Sequence, residues 1–408
     1  MSKFKVLIKI TGSIAAYKSA YLISKLMQNE FDVEVVATKS ALQFIGVATI
    51  EGLTHNPVHT DTFEQGKMMS HIELTKWADI IIVVPADANT INKFANGIAD
   101  NLVTSLFLAH DRTKPYLIAP AMNTSMFLHP ATQESLNKLS SWGVVILPTD
   151  EGYLACGDSG SGKLIEPDIL FGYICNHLHR NNTSKGKILI TGGGTSENID
   201  SVRTISNISS GRTSAKIAEH FFINGADVTT LLSESVIKPK YDIKNISYKS
   251  FQDLKNVLQS ELESEQYDLV IHAAAVSDYS PTSVEVNKTE YKLPAENKLD
   301  SNSDNFKINF SKNIKLVNNI KAWSKNSNVK LIAFKLLSIE DEIKKENELK
   351  KIFDNSNADS IVFNTLSNRK DEIQKSFEIV DKIENNSLAA TADDLAKQLF
   401  NKWRSSWS

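Results

Sequence analysis

Two stretches of this chain open alike, and the pair restricts the fold more than any other feature. Lys5–Ile10 is an apolar run that ends in Thr11-Gly12-Ser13 ahead of a helix-like stretch. Residues 187–190 form a second run, ending in Thr191-Gly192-Gly193-Gly194-Thr195. A buried strand that breaks at glycine before a helix leaves backbone N–H groups and a positive helix end facing one point, which suits phosphate. The openings lie about 180 residues apart, so the chain reads as two α/β domains in tandem, each able to bind a nucleotide. Many doubly wound folds use such a turn only to reverse the chain. The functional reading therefore depends on the residues beyond each opening.

The bulk numbers agree with two domains. A length of 408 residues is enough for two full cores. The net charge of −3, with mixed signs, supplies no basic surface for nucleic acid. The N-terminus lacks a signal-peptide pattern and no apolar run reaches membrane-spanning length. The two cysteines, Cys156 and Cys175, make neither a disulfide framework nor a metal-type spacing. The expectation is a cytoplasmic protein that acts on small molecules, without nucleic-acid or membrane partners. Residues 176–186 are polar and non-periodic, which predicts a first domain over 1–178, a linker over 179–186 and a second domain over 187–408.

In the first half, apolar runs at 5–10, 33–37, 79–84, 116–119 and 144–147 alternate with helical patterns, such as Tyr21, Leu22, Leu26 and Met27 on one face. That alternation implies a parallel sheet covered on both sides. Ligands bind at the carboxyl ends of such strands, so the segments beginning at Thr11, Thr38, Pro85, Pro120 and Pro148 should converge on one crevice. Hydroxyls of Ser13, Ser40 and Thr90, with backbone N–H groups, can hold a phosphate there without a lysine. Pro85 and Pro120 are expected to end their strands, since proline cannot donate to a sheet ladder.

Three residues of this half can carry chemistry. Ser70 can cap a helix and place His71 in its first turn, where the positive helix end favours a neutral imidazole able to act as a base; a capping or surface histidine is the plainer alternative. Asn123 can donate a hydrogen bond to a carboxylate or simply serve a turn. Cys156 lies in the glycine-rich, non-periodic stretch 151–163, expected to be a mobile loop from which a thiol can deliver a proton. Cys175, in the apolar 169–175 stretch, is expected to be packed on a helix.

Six ordered motifs give this half a family likeness. Gly12-Ser-Ile-Ala-Ala-Tyr-Lys18, Ser70-His71 through Trp77-Ala-Asp79, Pro85-Ala-Asp-Ala-Asn-Thr90, Gly97-Ile-Ala-Asp-Asn-Leu102, Pro120-Ala-Met-Asn123 and Leu154-Ala-Cys156-Gly resemble the flavin-dependent cysteine decarboxylases, specifically phosphopantothenoylcysteine decarboxylase. The resemblance implies FMN held by Gly12, Ser13, Ile14, Thr38, Ser40, Pro85, Ala86, Asn89, Thr90, Ala119 and Met122. It implies His71 as a base or orienting group near the substrate thiol, Asn123 on the departing carboxylate and Cys156 as proton donor.

The second half again alternates runs with helices, at 187–191, 227–231, 268–272, 330–334 and 359–363. By pattern alone it reads as a nicotinamide-binding reductase, although Gly192-Gly-Gly lacks the spaced dinucleotide fingerprint. Gly192 to Glu197, Ile199 to Gly211, Ala273-Ala-Ala-Val-Ser-Asp278, Phe334-Lys-Leu-Leu and Ala358 to Asn364 resemble the phosphopantothenate–cysteine ligases, which are fused to that decarboxylase in many bacteria. The likeness implies nucleotide contacts from Ala273, Ala274, Asp278, Lys298, Phe334 and Lys351, substrate contacts from Arg203 and Asn207, and catalytic roles for Asn207 and Lys298. Two departures stand out. The lysine-rich loop after Asp278 is replaced by a long polar loop, 280–305, in which Lys298 alone fits. The second family lysine of the helix carrying Lys351 falls on Asn355.

Together the resemblances imply two Rossmann-like doubly wound domains, the first of the flavoprotein decarboxylase type. They imply a bifunctional enzyme of coenzyme A biosynthesis: ligation of 4′-phosphopantothenate with cysteine, using CTP and Mg²⁺, then FMN-dependent decarboxylation to 4′-phosphopantetheine. The fused forms suggest CTP, and features shared with separate-chain ligases keep ATP as the alternative. No metal ligands are assigned. The resemblance also implies a homo-oligomer, with trimers and dimers that can close as a dodecamer. A flavin-binding regulatory protein and an unrelated flavin–nicotinamide oxidoreductase are the rival classes.

Overall fold

Five runs dominated by Val, Ile, Leu and Ala have no polar alternation, so each must be covered on both faces, as strands of a parallel sheet are. The computed structural model, which describes residues 3–60, 70–153, 157, 159–182, 186–287, 289–299, 305–337, 342–365, 369–370, 373–382 and 386–404, places them so. Strands β1 (Lys5–Ile10), β2 (Asp32–Ala37), β3 (Ile80–Ala86), β4 (Tyr116–Pro120) and β5 (Val145–Ile146) form one sheet in the order β2-β1-β3-β4-β5, all parallel. Around it lie α1 (Tyr17–Gln28), α2 (Val47–Thr54), α3 (Ser70–Trp77), α4 (Ala88–Ala95), α5 (Leu102–Leu108), α6 (Thr124–Leu128), α7 (Pro130–Ser141) and α8 (Pro167–Asn182). The chain divides into two units, Met1–Asn182 and Thr183–Ser408.

The first unit corrects four expectations. On α1, Leu22 and Leu26 are buried together with Ile23, but Tyr21 is 66% exposed. Pro120 is the last residue of β4, as expected, but Pro85 does not end its strand: β3 runs one residue further, to Ala86, which pairs with Pro120. Proline lacks only the donor, and the carbonyl of Pro85 still accepts from Thr11. The flanks of the stretch 151–163 are not irregular, because strands β6 (Asp150–Tyr153) and β7 (Ser159–Lys163) pair as an antiparallel hairpin, while 154–156 and 158 lie outside the described residues. Nor does a linker begin at residue 176 or 179. Helix α8 continues to Asn182, with Leu178 buried and His177 Nδ1 2.8 Å from the Tyr173 carbonyl oxygen.

The second unit is built on an eight-stranded sheet. Its strands are β8 (Lys187–Gly192), β11 (Asp227–Ser233), β12 (Lys244–Tyr248), β13 (Leu269–His272), β17 (Lys330–Leu337), β18 (Ser360–Thr365), β21 (Phe377–Asp381) and β22 (Ser387–Ala389). The order is β12-β11-β8-β13-β17-β18-β21-β22, parallel through β18 and antiparallel for the last two. Helices α9 (Arg212–Ile223), α10 (Phe251–Ser264), α11 (Ile320–Trp323), α12 (Glu342–Ser356) and α13 (Ala392–Trp403) complete the unit. Short strands β9 (Ser196–Asn198) with β10 (Thr204–Ser206), and β19 (Arg369–Lys370) with β20 (Ile373–Gln374), make two further pairs. The segment expected as a polar loop, 280–305, contains two strands among its described residues. Strands β14 (Tyr279–Val286), β15 (Thr289–Lys292) and β16 (Phe306–Lys312) form an antiparallel sheet, with Val284, Val286, Leu293 and Leu299 buried in a small core of their own. Sparse alternating apolar residues suffice when only one face of a sheet is covered.

One buried charge stands out in the first core. Lys9, within β1, is fully buried and donates to the Tyr116 hydroxyl at 2.9 Å and the Val103 carbonyl at 3.3 Å. No carboxylate is paired with it among the described ion pairs, and burial pushes its pKa well below the usual lysine range. The unfolded chain therefore holds this proton more firmly than the folded one, so the cost to folding is greatest at low pH and falls as pH rises toward an unfolded lysine's ~10.4. Lys9→Met should be more stable than the wild type by roughly 1 kcal/mol or more near neutrality. That advantage should shrink between about pH 6 and pH 9 in urea titrations. A gap that stays constant with pH would mean that Lys9 remains charged in the folded protein throughout that range.

Candidate functional site

In each unit the first strand has neighbours on both sides whose chains leave in opposite directions, and the crevice at its carboxyl end lies at this topological switch point. In the first unit the switch lies between β1 and β3. Thr11, fully buried, donates its hydroxyl to the Pro85 carbonyl at 2.7 Å and accepts from the Asp87 amide at 2.9 Å. Asp87 then caps α4, taking the Thr90 amide at 2.7 Å, and its other oxygen takes the Gly12 amide at 3.1 Å. A Cβ on Gly12 would stand 2.6 Å from that of Ser40, so glycine is required where the ends of β1 and β2 meet.

The expected cofactor residues gather along this edge. Ser13 caps the turn Ile14–Ala16, Thr38 Oγ1 accepts from the Ala41 amide, and Ser40 and Asn89 are exposed. Ala86 and Ala119 are buried at the strand ends. The Met122 amide donates to Gly162 of β7, and Thr124 donates to Ser161, so the hairpin sits against this end of β4. Hydroxyls of Ser13, Thr38 and Ser40 beside these strand ends fit a phosphate, and partly buried Met122 lies just after β4. Thr90 is buried with its amide committed to Asp87, as is the amide of Gly12, so these two N–H groups do not face a phosphate. Asp87 is the residue that sequence reasoning overlooked, although an aspartate three residues before Thr90 at a helix start is the usual capping pattern.

Of the three chemical candidates, Asn123 is placed most firmly. Its Oδ1 accepts from the Ser125 amide at 2.8 Å and caps α6, which orients the side chain at the end of β4. His71 lies on α3, in which Ser70 is itself helical, and the His71 side chain is outside what the structure describes. Cys156 lies outside the described residues, between β6 and β7. Cys175 is buried on α8 and unbridged, its thiol pushed up to about 12 by burial, so it is not a proton donor.

The second unit's switch lies between β8 and β13 and repeats the arrangement. Buried Thr191 contacts His272 Nδ1 at 2.9 Å and accepts from the Ala274 amide at 3.2 Å. Burial lowers His272 to about 4, so it is neutral near pH 7. After β8 the chain passes so close to another segment that a Cβ on Gly194 would lie 1.8 Å from the Asn207 carbonyl oxygen. The Asn207 amide in turn donates to the Thr195 carbonyl. Beyond these strand ends opens a cavity of about 870 Å³, lined among others by Asn207, Ala273, Ala274, Asp278, Phe334 and Lys351. Six expected residues thus meet in one space, and the αL residue Gly211 leads α9 into it.

Arg203 and Lys298 do not line that cavity. Arg203, and Leu299 next to Lys298, belong to a cluster around buried Asp200, which accepts from the amides of Val202, Arg203 and Leu299. Burial alone would raise its carboxyl, but these three N–H donors, with the Arg203 guanidinium 3.7 Å away, hold it below the ordinary aspartate value. Arg203 also donates to the Leu299 carbonyl at 3.3 Å, so Asp200 fixes the residue next to exposed Lys298 from both sides. The local pattern around Asp200 assigns it no role. Its position between Ile199 and Arg203 in one motif is the signal that was available. Among the described residues no group of three His, Cys, Asp or Glu side chains is placed to hold a metal ion, and no helix is long and apolar enough to cross a membrane.

Known proteins resemble each half of this chain in sequence. The solved DNA/pantothenate metabolism flavoprotein from Streptococcus pneumoniae is 27% identical and covers 54% of this chain and 99% of its own, at a TM-score of 0.48. The solved FMN-binding protein AtHal3 is 35% identical and covers 42% of this chain and 95% of its own, at a TM-score of 0.38. The coenzyme A biosynthesis bifunctional protein CoaBC of Bacillus subtilis (strain 168) is 39% identical over 285 residues, which is 68% of this chain and 69% of the relative. That of Vibrio vulnificus (strain YJ016) is 35% identical over 325 residues, 79% of this chain and 78% of the relative. Residues 1–179 match the Flavoprotein family, and residues 183–404 match the DNA/pantothenate metabolism flavoprotein C-terminal domain. With both units matched in this order, the chain belongs to the family of bifunctional coenzyme A biosynthesis proteins.

Proposed function

We propose that the second unit joins 4′-phosphopantothenate to cysteine and that the first unit decarboxylates the product to 4′-phosphopantetheine. Family membership supports both activities. The observation that carries the ligase assignment is the cavity at the β8/β13 switch, where Asn207, Ala273, Ala274, Asp278, Phe334 and Lys351 converge. A carboxylate is a poor acylating agent until one of its oxygens becomes part of a good leaving group. Attack of the phosphopantothenate carboxylate on the α-phosphate of CTP releases pyrophosphate and gives the acyl-cytidylate. Cysteine's amine then displaces CMP. Lysines and Mg²⁺ would neutralise the triphosphate as charge moves, the metal being held largely by the nucleotide's own phosphates. Asn207 would hold the activated acyl group. Arg203 and Lys298, fixed through Asp200, would complete the substrate site.

In the first unit, FMN would be held by Gly12, Ser13, Ile14, Thr38, Ser40 and Asn89, against Pro85, Ala86, Ala119 and Met122. Bound there, FMN would supply reversible two-electron redox chemistry at the thiol-bearing carbon, the electron sink that loss of the neighbouring carboxylate requires. Asn123, oriented by its cap bond to Ser125, would hold that carboxylate. His71 would take or orient the thiol proton. Cys156 would give a proton to the carbon left after carbon dioxide has departed. Ile14, Tyr17, Tyr21 and Phe44 are exposed on this unit and support a site completed by a second subunit, in an oligomer that can close as a dodecamer. A cytoplasmic location accords with the same reading.

Incubation with 4′-phosphopantothenate, cysteine, Mg²⁺ and either CTP or ATP, read by mass spectrometry, tests the whole proposal. CTP should yield 4′-phosphopantetheine, and heat should release FMN from the protein. Absence of any cysteine adduct with either nucleotide would remove the ligase reading. His71→Asn should lower decarboxylation at least about a hundredfold, the low end of general-base contributions, while ligation continues and phosphopantothenoylcysteine accumulates. Loss of both activities in a folded His71→Asn protein would contradict two separable sites.

Cys156→Ser retains the size of the side chain but donates a proton far less readily than a thiol. The variant should bind FMN and release carbon dioxide, yet accumulate a product two hydrogens lighter than phosphopantetheine. Normal product formed at the normal rate would show that the proton comes from elsewhere.

A further inference from the structure

Among the described residues, five lysines line the cavity of the second unit: Lys216, Lys315, Lys335, Lys351 and Lys375. Lys216 stands 3.2 Å from Asp393, and Lys315 is paired with Asp278. Each of those pairs sets one cation against one carboxylate. Lys335 and Lys351 differ, because they share a single carboxylate. Lys335 Nζ lies 3.2 Å from one oxygen of Glu348, and Lys351 Nζ lies 2.9 Å from the other. This corner of the cavity therefore carries a surplus of positive charge. Helix α12 presents Glu348, Lys351, Ile352 and Asn355 to the cavity at the spacing of one helical face. The position of Asn355, where ligase relatives are expected to carry a second lysine, is exposed and neutral. Lys335 comes from another direction, next to Phe334 along β17.

We propose that Lys335 is the second polyphosphate-binding lysine of this ligase, acting as a pair with Lys351, and that Glu348 is the counter-ion that holds both until a triphosphate displaces it. The inference rests on the reading that this unit binds a nucleoside triphosphate. A charge missing from one turn of α12 is thereby supplied from the neighbouring strand. A triphosphate brings several charges and many acceptor oxygens, so it outcompetes one carboxylate for two ammonium groups. Glu348 also restrains two long side chains that would otherwise be ordered only on binding. Hydrogen bonds from Lys351 and Lys335 hold its carboxyl below the ordinary glutamate value, so its negative charge persists at neutral pH. Lys335, 28% exposed against 68% for Lys351, is the less screened of the two.

Titration calorimetry on the full-length protein, with Mg²⁺ and no phosphopantothenate, tests the pair. The ligands are CTP, or ATP if the wild type prefers it, and the matching monophosphate. Lys335→Met should weaken the triphosphate about tenfold or more, the effect of losing a charge-assisted hydrogen bond, and should weaken the monophosphate much less. Lys335→Arg should recover most of the affinity, and Glu348→Gln should retain or tighten triphosphate binding. Lys335→Gln, measured with a thermal melt, repeats the test with a smaller change in case the methionine variant does not fold. Equal triphosphate affinity in the wild type and Lys335→Met would overturn the proposal. So would equal losses of triphosphate and monophosphate, or a Glu348→Gln variant weakened as much as Lys335→Met. A wild type that binds neither nucleotide would overturn the ligase reading itself, and the lysine pair with it.

Discussion

Both units depend on a buried threonine hydroxyl that ties the first strand to its neighbour across the switch point. Thr11 joins the end of β1 to Pro85 and Asp87 after β3. Thr191 joins the end of β8 to His272 and Ala274 of the β13 end. A parallel ladder stops where the chains diverge, and backbone groups there lose their partners just as they become buried. A hydroxyl both donates and accepts, so one side chain can close that gap from both sides. With the gap closed, the next residues turn away as glycines. Gly12 meets Ser40, and Gly194 meets the Asn207 backbone, at distances no side chain would allow. The crevice is thus the space left where two strand ends are locked and their continuations diverge.

Elements set by covered apolar runs were legible from the chain alone. The strands expected at 5–10, 33–37 and 187–191 are there, within a residue or two at their ends. Elements with a weaker physical signal were not. The hairpin of β6 and β7 is rich in glycine and half exposed, so neither apolar alternation nor β-branched residues announce it. It is held by tertiary bonds instead, Gly162 to the Met122 amide and Ser161 to Thr124. The meander of β14 to β16 covers only one face, which leaves mostly polar residues in view. Residues 176–182 read as linker because most of them are polar, while Asn176 and Leu178 are buried and His177, His179 and Arg180 half-buried.

The candidate sites were legible to a different depth. Residues carried by strand ends, such as Ala273, Ala274 and Phe334, were found because glycine turns and apolar runs fix where a strand stops, and they meet in one cavity. Asp87 and Asp200 were missed because their roles are made by contacts distant in sequence. Asp87 reaches the Gly12 amide 75 residues away, and Asp200 reaches the Leu299 amide 99 residues away. Neither partner is visible in a local pattern. The same holds for Glu348, whose bond to Lys335 joins a helix to a strand.

These three carboxylates share a physical logic that bears on how anionic ligands would enter. Amide and ammonium groups gathered at a strand-end crevice repel one another and cannot remain unsatisfied. Internal carboxylates answer that need in two different ways. Asp87 and Asp200 accept backbone N–H groups, so releasing them would leave a helix start or a turn without its bonds. They are fixed parts of the frame, and a ligand must use the donors that they leave. Glu348 accepts from two lysine side chains, which can swing to another acceptor without loss of backbone structure. The difference between a framing carboxylate and an exchangeable one therefore lies in the donor it binds, and only the second kind can give way to a phosphate.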